Sequence, residues 1–496
     1  MSNKPNILYI MCDQFRYDCI AALGNKKIST PNIDRLVRRG VSFENAYSPC
    51  PVCVPARYII QTGRDPHTTC CFSNAQTAVP DDLPSNMEER CGQYLARHLS
   101  TNGYRTFGIG KFHTHLRYED LGYETHLHTE EMWGNIEPKA LDAYAAFLAN
   151  EHPEYAHIEQ PHGERTDMYY MPQASPFPAE ITVEAFVANH AVEQMKRPDP
   201  RPWFGFVSFI GPHPPFAPPI PYNRMYNPDQ MDNPICGDIE IDHMDEHLPW
   251  MNHLIWADEL NDFSARMAKS RYYGEISYID NCIGKLLDTV EAMPDPDNTL
   301  IAFFADHGDF MGDHHAWQKE SWFEQSARIP FLVSWPKRLQ GGNRNSELVA
   351  LTDLFAIASS AAGTLETRDG VDILGLLNKT AKPREHLFTV YGEPGTPHFK
   401  FMVRKGDYKY IFFSNGGGRQ LFNLCDDPNE LNNLAEALPD VVSDLHSIAI
   451  SQANRPGLLA ALENNDFKVF PRKVFERKRI NQMAWEFGIN DFSFLP

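Results

Sequence analysis

Four short apolar runs, 6–11, 105–110, 203–210 and 300–305, each give way abruptly to charged, amide or imidazole residues, and a fifth run lies at 331–335. The runs are rich in β-branched and aromatic residues and are too short for buried helices. They predict strands. Helical patterns separate them. One runs from Thr30-Pro31 to about Gly40. Another follows the capping pattern Ser85-Asn86-Met87-Glu88 and stops near Gly103. A third starts at Thr182, with Ala185, Val187, Ala191 and Met195 as its inner face, and a long amphipathic helix covers 263–293. Strands alternating with helices predict an α/β fold with a mostly parallel central sheet covered on both faces.

The pattern changes near Thr380. The segments 387–391, 399–404 and 408–413 alternate, with a turn at Gly406-Asp407, and a helix is expected over 440–463. This predicts a small antiparallel sheet plus helix. Three parts result: a catalytic α/β domain over 1–380, a small C-terminal α+β subdomain over 381–465, and a tail over 466–496. The tail carries Trp485, Phe487, Phe492 and Phe494 without helical period, which predicts an oligomerisation arm and a homo-oligomer. The stretches 150–180 and 210–260 are rich in Pro, Asp, His and aromatics and predict long loops over one end of the sheet.

Composition sets the boundaries. Hydrophobic residues make up 42% of 496, enough for a core, and 45 basic against 65 acidic residues leave a net charge of −20. That field repels nucleic acid and anionic membrane surfaces. No window reaches the roughly 18 apolar residues of a membrane span, and the first apolar run is short for a signal peptide. The expected location is cytoplasmic, where the ten cysteines would be mostly reduced thiols.

Ligands of open parallel sheets bind beyond the carboxyl ends of the strands. Here those ends read Cys12-Asp13-Gln14, Gly110-Lys111-Phe112-His113, Gly211-Pro212-His213-Pro214 and Ala305-Asp306-His307-Gly308-Asp309. Convergence on one site is expected. Asp13, Asp306 and His307 make a candidate site for a hard divalent ion such as Ca²⁺, Mg²⁺ or Mn²⁺. His113, His115, His126 and His128 are a weaker zinc candidate, with ordinary loop residues the commoner reading.

Cys50-Pro-Val-Cys53-Val-Pro55-Ala-Arg57 reads three ways: a redox pair, a buried turn, or a helix start. In the last, Cys53 sits at a helix N-terminus that attracts anions, and Arg57 lies one turn further on.

In order along the chain stand Pro5-Asn6-Ile7 to Asp13-Gln14, Thr30-Pro-Asn-Ile-Asp34, Cys53-Val-Pro-Ala-Arg57, Gly108-Ile-Gly-Lys111-Phe-His113 and Pro212-His213-Pro-Pro-Phe216. Ala305-Asp306-His307-Gly308, Gly312-Asp-His314-His315 to Lys319, and then Leu421-Phe-Asn-Leu424, Asp427-Pro-Asn-Glu430 and Asn433-Leu434 follow. With these motifs the chain resembles the type I sulfatases of the alkaline phosphatase superfamily. The resemblance implies an alkaline-phosphatase-like fold and hydrolysis of aryl or small carbohydrate sulfate monoesters. It implies oxidation of Cys53 to formylglycine (3-oxoalanine) by a maturation enzyme. One hydroxyl of the hydrated aldehyde would attack sulfur. Arg57, Lys111 and the metal would hold the sulfate oxygens, and His213 and Lys319 would serve the leaving oxygen. His113 would assist loss of the second hydroxyl's proton, which expels sulfate. One divalent ion, calcium ahead of manganese or magnesium, would be held by Asp13, Asp306, His307 and the modified Cys53.

Three departures stand out. Gln14 replaces a second aspartate, and Ala56 stands where many members carry serine. The segment from Gly211 through Tyr222, Met225-Tyr226 and Pro228 also resembles phosphonate monoester hydrolases. Lys111 and His113 follow the sulfatase pattern. Phosphonate monoester or phosphodiester hydrolysis is the alternative activity, and an unmodified non-catalytic relative is a third reading. The organic part of the substrate is not coded by any motif. Trp133, Tyr169, Tyr170 and Phe216 suit either stacking on it or loop packing.

Overall fold

The computed structural model describes residues 4–75, 79–80, 83–116, 119–131, 136–158, 161, 163, 169–477 and 479. Trp133 and the aromatic tail residues Trp485, Phe487, Phe492 and Phe494 lie outside them.

The apolar runs are buried on both faces, as parallel strands flanked by helices must be. The strands of the main sheet are β1 (Asn6–Cys12), β2 (Val41–Tyr47), β3 (Arg105–Gly110), β4 (Thr125–His128), β5 (Trp203–Phe209), β6 (Thr299–Ala305), β7 (Phe331–Ser334) and β8 (Asn343–Ala350). Their spatial order is β4-β3-β5-β1-β6-β7-β2-β8. All pairings are parallel except those of β7, which runs antiparallel to β6 and β2. The return from β6 to β7 explains the exception. It holds only short turns such as Glu324–Ala327 and lacks the long helical crossover a parallel neighbour needs. Register sets the site: Cys12 pairs with Phe209 on one side and Ala305 on the other, so Asp13, the loop to His213 and Asp306 leave the sheet side by side.

The principal helices are α1 (Ile33–Arg39), α2 (Cys53–Thr62), α3 (Val183–Lys196), α4 (Asp262–Glu291) and α5 (Pro439–Ala453). Thr182 caps α3 by accepting from the Ala185 amide, and Ala185, Val187, Ala191 and Met195 are buried on it. Two starts differ from expectation. Ile33, not Pro31, is the first residue of α1. Asn86, not Ser85, caps the helix Met87–Cys91, which breaks at Gly92 and resumes as Leu95–Thr101. The last helix also ends early, at Ala453, because Pro456 starts a separate 3-10 turn. Among the described residues no helix is long and apolar enough to cross a membrane.

The second sheet has strands β9 (Leu387–Tyr391), β10 (Lys400–Lys405), β11 (Tyr408–Phe413) and β12 (Arg419–Asn423), all antiparallel in the order β12-β11-β10-β9. Its core is separate, with Val442, Leu445 and Ala449 of α5 against Phe401, Phe412 and Leu421. A buried lysine ties the two parts together. Lys409 of β11 meets Glu324 at 2.7 Å and Glu430 at 2.6 Å, and the Glu324 amide donates to Glu430.

Candidate active site

Local backbone geometry delivers each side chain to the carboxyl end of the sheet. Val52 is extended and Cys53 is the first residue of α2, a helix buried along its whole length and closed by left-handed Gly63. Gly110 has φ +110°, and a Cβ there would lie 1.9 Å from the Ser208 carbonyl oxygen, so only glycine lets β3 turn out to present Lys111. Gln14, His113, Gln318 and Glu320 adopt φ of 63°, 46°, 72° and 77°. Left-handed non-glycine residues next to Asp13, at His113 and on both sides of Lys319 mark a site that the surrounding packing holds in strain.

Asp13, Cys53, Asp306 and His307 converge, with one ligand atom from each within 4.8 Å of the others. All four are buried. Cys53 Sγ lies 3.2 Å from His307 Nε2 and 3.7 Å from Asp13 Oδ1. His307 Nε2 lies 3.7 Å from a carboxylate oxygen of both Asp13 and Asp306. His307 Nδ1 is 3.0 Å from its acceptor, the Gly308 carbonyl, which leaves the Nε2 lone pair facing the carboxylates. Burial also favours the neutral imidazole. Two carboxylates and a neutral imidazole fit a hard divalent cation. Burial first, then Asp13, pushes the Cys53 thiol up to about 12, so it is a thiol and not a thiolate here.

Cations surround this cluster. Arg57 spends its fork on the carboxylates, Nη2 to Asp13 at 2.8 Å and Nε to Asp306 at 3.1 Å, and gives Nη1 to the Lys111 carbonyl and Ser208. The expectation placed Arg57 on sulfate oxygens; in this geometry it braces the two aspartates. Lys111 Nζ meets Asp13 at 2.5 Å and also pairs with Glu131. Lys319 Nζ donates to Gln14 Oε1 at 2.6 Å. The Gln14 amide donates to Asp309 and to Tyr170. His213 Nδ1 lies 2.7 Å from its acceptor, the Pro214 carbonyl, so Nε2 faces Glu131 at 3.2 Å and the Tyr169 hydroxyl at 3.3 Å. His113 keeps a buried Nδ1 without a hydrogen-bond partner, and burial with Lys111 nearby holds its imidazole down to about 4.

The four strand-end clusters therefore meet. The other expectations fare differently. Cys50 and Cys53 form no disulfide: the Cys50 thiol points to the Phe72 carbonyl at 3.7 Å, away from the cluster. His115 faces Cys71 at 3.2 Å and His128 pairs with Glu130, so among the described residues the histidine-rich stretch shares no metal position. Sequence reasoning missed Glu131 and Ser208, and it placed Asp309 in the strand-end cluster without giving it a role. Glu131 follows a strand too short and polar to recognise. Asp309, three residues after Asp306, accepts from the Gln14 amide and the Tyr170 hydroxyl. Tyr170, expected either to stack on substrate or to pack, packs: it lies against Trp317 at 4.6 Å and donates to Asp309.

A second group, Asp65, His67 and Asp369, also lies within ligand distance. Its Asp369 is already engaged by Arg64 at 2.9 Å and the Asp65 amide at 3.0 Å. Burial, with Asp369 beside it, raises the Asp65 carboxyl to about 8. An acid whose folded value exceeds its unfolded one contributes stability at low pH and loses it as pH rises through the folded value. Asp65→Asn should therefore stabilise the protein by about 2 kcal/mol above pH 8 and be neutral near pH 4. Denaturant unfolding at the two pH values checks this, and equal effects at both would refute it.

A buried cluster of two carboxylates, an imidazole and a cysteine at the C-terminal edge of a mainly parallel sheet, ringed by lysines and histidines, has the make-up of a hydrolytic site that could hold a divalent cation. A sulfatase family model matches residues 5–364, and a model of the N-sulphoglucosamine sulphohydrolase C-terminal region matches 312–452. An arylsulfatase of Clostridium perfringens is 29% identical, over 90% of this chain and 94% of its own. A choline-sulfatase of Rhizobium meliloti is 30% identical, over 88% of this chain and 83% of its own. The crystal structure of a phosphonate monoester hydrolase of Agrobacterium radiobacter superposes with a TM-score of 0.76 at 23% identity, covering 93% of this chain and 98% of that one. The chain belongs to the sulfatase family, within the alkaline phosphatase superfamily, and is a sulfuric ester hydrolase.

Proposed function

We propose that the site hydrolyses small sulfate monoesters through residue 53, matured from cysteine to formylglycine. One divalent cation, calcium ahead of manganese or magnesium, would be held by Asp13, Asp306, His307 and residue 53. The observation that carries this reading is the position of Cys53 Sγ, 3.2 Å from His307 Nε2 and 3.7 Å from Asp13 Oδ1, at the first turn of a buried helix.

When present, the hydrated aldehyde would supply the hydroxyl nucleophile and a second hydroxyl for product release, and the cation would supply positive charge to the sulfate oxygens. Lys111 and Lys319 present buried ammonium groups to the sulfate oxygens, where transition-state charge is spread. Arg57 holds Asp13 and Asp306 in their ligating orientation. Lys319, whose buried ammonium carries a proton to give, serves the leaving oxygen, with His213 fixed beside it by its Nδ1 donation to the Pro214 carbonyl. His113, neutral at physiological pH, takes the proton of the second hydroxyl through its partnerless Nδ1. Helix α2 is buried throughout. The maturation enzyme must therefore act on Cys53 before the helix packs, reading a motif with Ala56 in it.

Initial rates on an aryl sulfate and on the matching aryl phosphonate test the proposal. The sulfate is expected to lead in kcat/KM by about tenfold or more, a barrier difference of about 1.4 kcal/mol. A phosphonate preference of that size would assign the site to the alternative activity.

A further inference from the structure

Lys319 stands on a backbone that only its neighbours can hold. Gln318 and Glu320, on either side, adopt left-handed φ of 72° and 77°, which non-glycine residues keep where surrounding contacts force them to. At its tip the ammonium has one hydrogen bond among the described residues, to Gln14 Oε1 at 2.6 Å. The aim of this long side chain is therefore set largely at its base. Loops of the main sheet hold the Gln318 side: its amide donates to the Tyr170 hydroxyl at 2.9 Å, and its carbonyl accepts from the Phe310 amide at 2.9 Å.

The Glu320 side is held from elsewhere. Its amide donates to the Pro51 carbonyl at 3.1 Å, two residues before Cys53. Its buried carboxylate accepts from the Tyr391 hydroxyl at 3.0 Å and pairs with His247 Nε2, at the start of the helix His247–Leu254. Ser321 repeats the arrangement. Its hydroxyl donates to Asp245 at 2.8 Å, and Asp245 pairs with Lys400. Tyr391 of β9 and Lys400 of β10 are direct cross-strand partners, with the Lys400 ammonium 4.8 Å over the Tyr391 ring. Two successive residues behind Lys319 are thus tied to one cross-strand pair of the C-terminal sheet. A contact that served only to join the two parts of the fold could lie anywhere along their boundary, as that of Lys409 with Glu324 and Glu430 does. This one falls on the residues next to the proton donor.

We propose that Glu320 is a positioning residue for Lys319, and that the small sheet, through Tyr391 and Lys400, sets where that ammonium stands relative to the leaving oxygen. The inference rests on the sulfatase reading and on the role given to Lys319 within it. With its carboxylate released, Glu320 can return to ordinary φ, and rotation about its N–Cα bond carries Lys319 along. The nucleophile on α2 stays in place. The loss then falls on proton transfer, and it grows with the basicity of the leaving alcohol: a nitrophenolate departs readily without a proton, whereas a plain phenolate needs one more.

The test measures kcat/KM of the mature, metal-loaded enzyme and its variants on phenyl sulfate and on para-nitrophenyl sulfate. Glu320→Leu should lower the phenyl-to-nitrophenyl ratio by about tenfold, part of the roughly 10²- to 10⁴-fold that a placed proton donor contributes. Glu320→Gln keeps an oxygen for Tyr391 and His247 and should restore that ratio to within about threefold of native. Where Lys319→Met is already present, adding Glu320→Leu should leave the ratio where Lys319→Met put it, because a residue that acts through Lys319 has nothing left to position. A ratio unchanged in Glu320→Leu overturns the proposal, since a merely structural role lowers both esters together. A further tenfold fall in the Lys319→Met background overturns it too. If Glu320→Leu does not fold, Tyr391→Phe, which removes one hydroxyl, decides by the same ratio: a fall supports the proposal and no change overturns it. Native turnover of both esters with an unmoved ratio in the variants sinks this inference alone. No native turnover of either sulfate ester sinks the sulfatase reading with it.

Discussion

Replacing Cys53 by alanine is expected to abolish sulfate release and to leave the fold in place. The side chain is 1% exposed at the first turn of α2, where alanine is a good helix former, and removing one sulfur from such a site costs about 1 kcal/mol. Activity is another matter. Loss of the nucleophile-bearing residue in a concerted site lowers turnover by about 10⁴-fold or more. Cys53→Ser separates the proposed chemistry from simple nucleophilic attack. A serine hydroxyl can take up sulfur once, but it has no second hydroxyl on the same carbon to expel the product. At most one equivalent of alcohol per enzyme should appear, with no steady-state sulfate. Circular dichroism melts, a burst assay and the mass of the peptide spanning residue 53 in active enzyme check the three points. Active enzyme with an unmodified thiol at Cys53 would sink the nucleophile assignment.

The parts of the fold that could be read in advance are those where burial makes the pattern uniform. β1, β3, β5 and β6 are buried along nearly their whole length, and their apolar runs ended within about a residue of the observed strands. Two of the strands that escaped notice, β4 and β8, are only partly buried, while β2 is mostly buried but breaks its apolar residues with Ser42, Glu44 and Asn45. β8 is an edge strand whose first five residues, Asn343–Glu347, are all at least partly exposed, and β4 is four residues of Thr, His and Leu. A half-wet edge strand carries no apolar run to find. The direction of β7 was equally hidden, since a four-residue strand reads the same both ways and only its connection decides.

For the site, strand ends were the reliable guide. They gave Asp13, Lys111, His213, Asp306 and His307, because the chain must turn there and the residues after the turn face the cleft. What the sequence could not show was which charge each cation answers. Arg57 looked free to meet a sulfate, yet its fork is occupied by two carboxylates that arrive from strands 44 and 249 residues away. Glu131 was invisible for the same reason: its meaning lies in its contact with Lys111 and His213, and no local pattern encodes that contact.

Arg57 therefore yields the second large expected effect. Its guanidinium is buried and bridges Asp13 and Asp306, while Nη1 pins the Lys111 carbonyl at 2.5 Å. Arg57→Leu removes the bridge and leaves two buried carboxylates against Lys111 alone. Breaking a buried ion pair from one side costs about 3–5 kcal/mol. Arg57→Lys restores the charge but not the fork: one ammonium cannot span both carboxylates and a carbonyl. Its stability should be closer to native, yet its kcat/KM should fall by about 10–100-fold, the usual effect of disturbing the groups that orient metal ligands. The two variants also respond differently to added cation. A bound dication can replace the missing charge in Arg57→Leu, so calcium should recover much of its lost stability and little of its activity. Unfolding with and without calcium, run beside turnover of an aryl sulfate, measures both. Native activity in Arg57→Lys would show that charge alone suffices and would refute the bracing role.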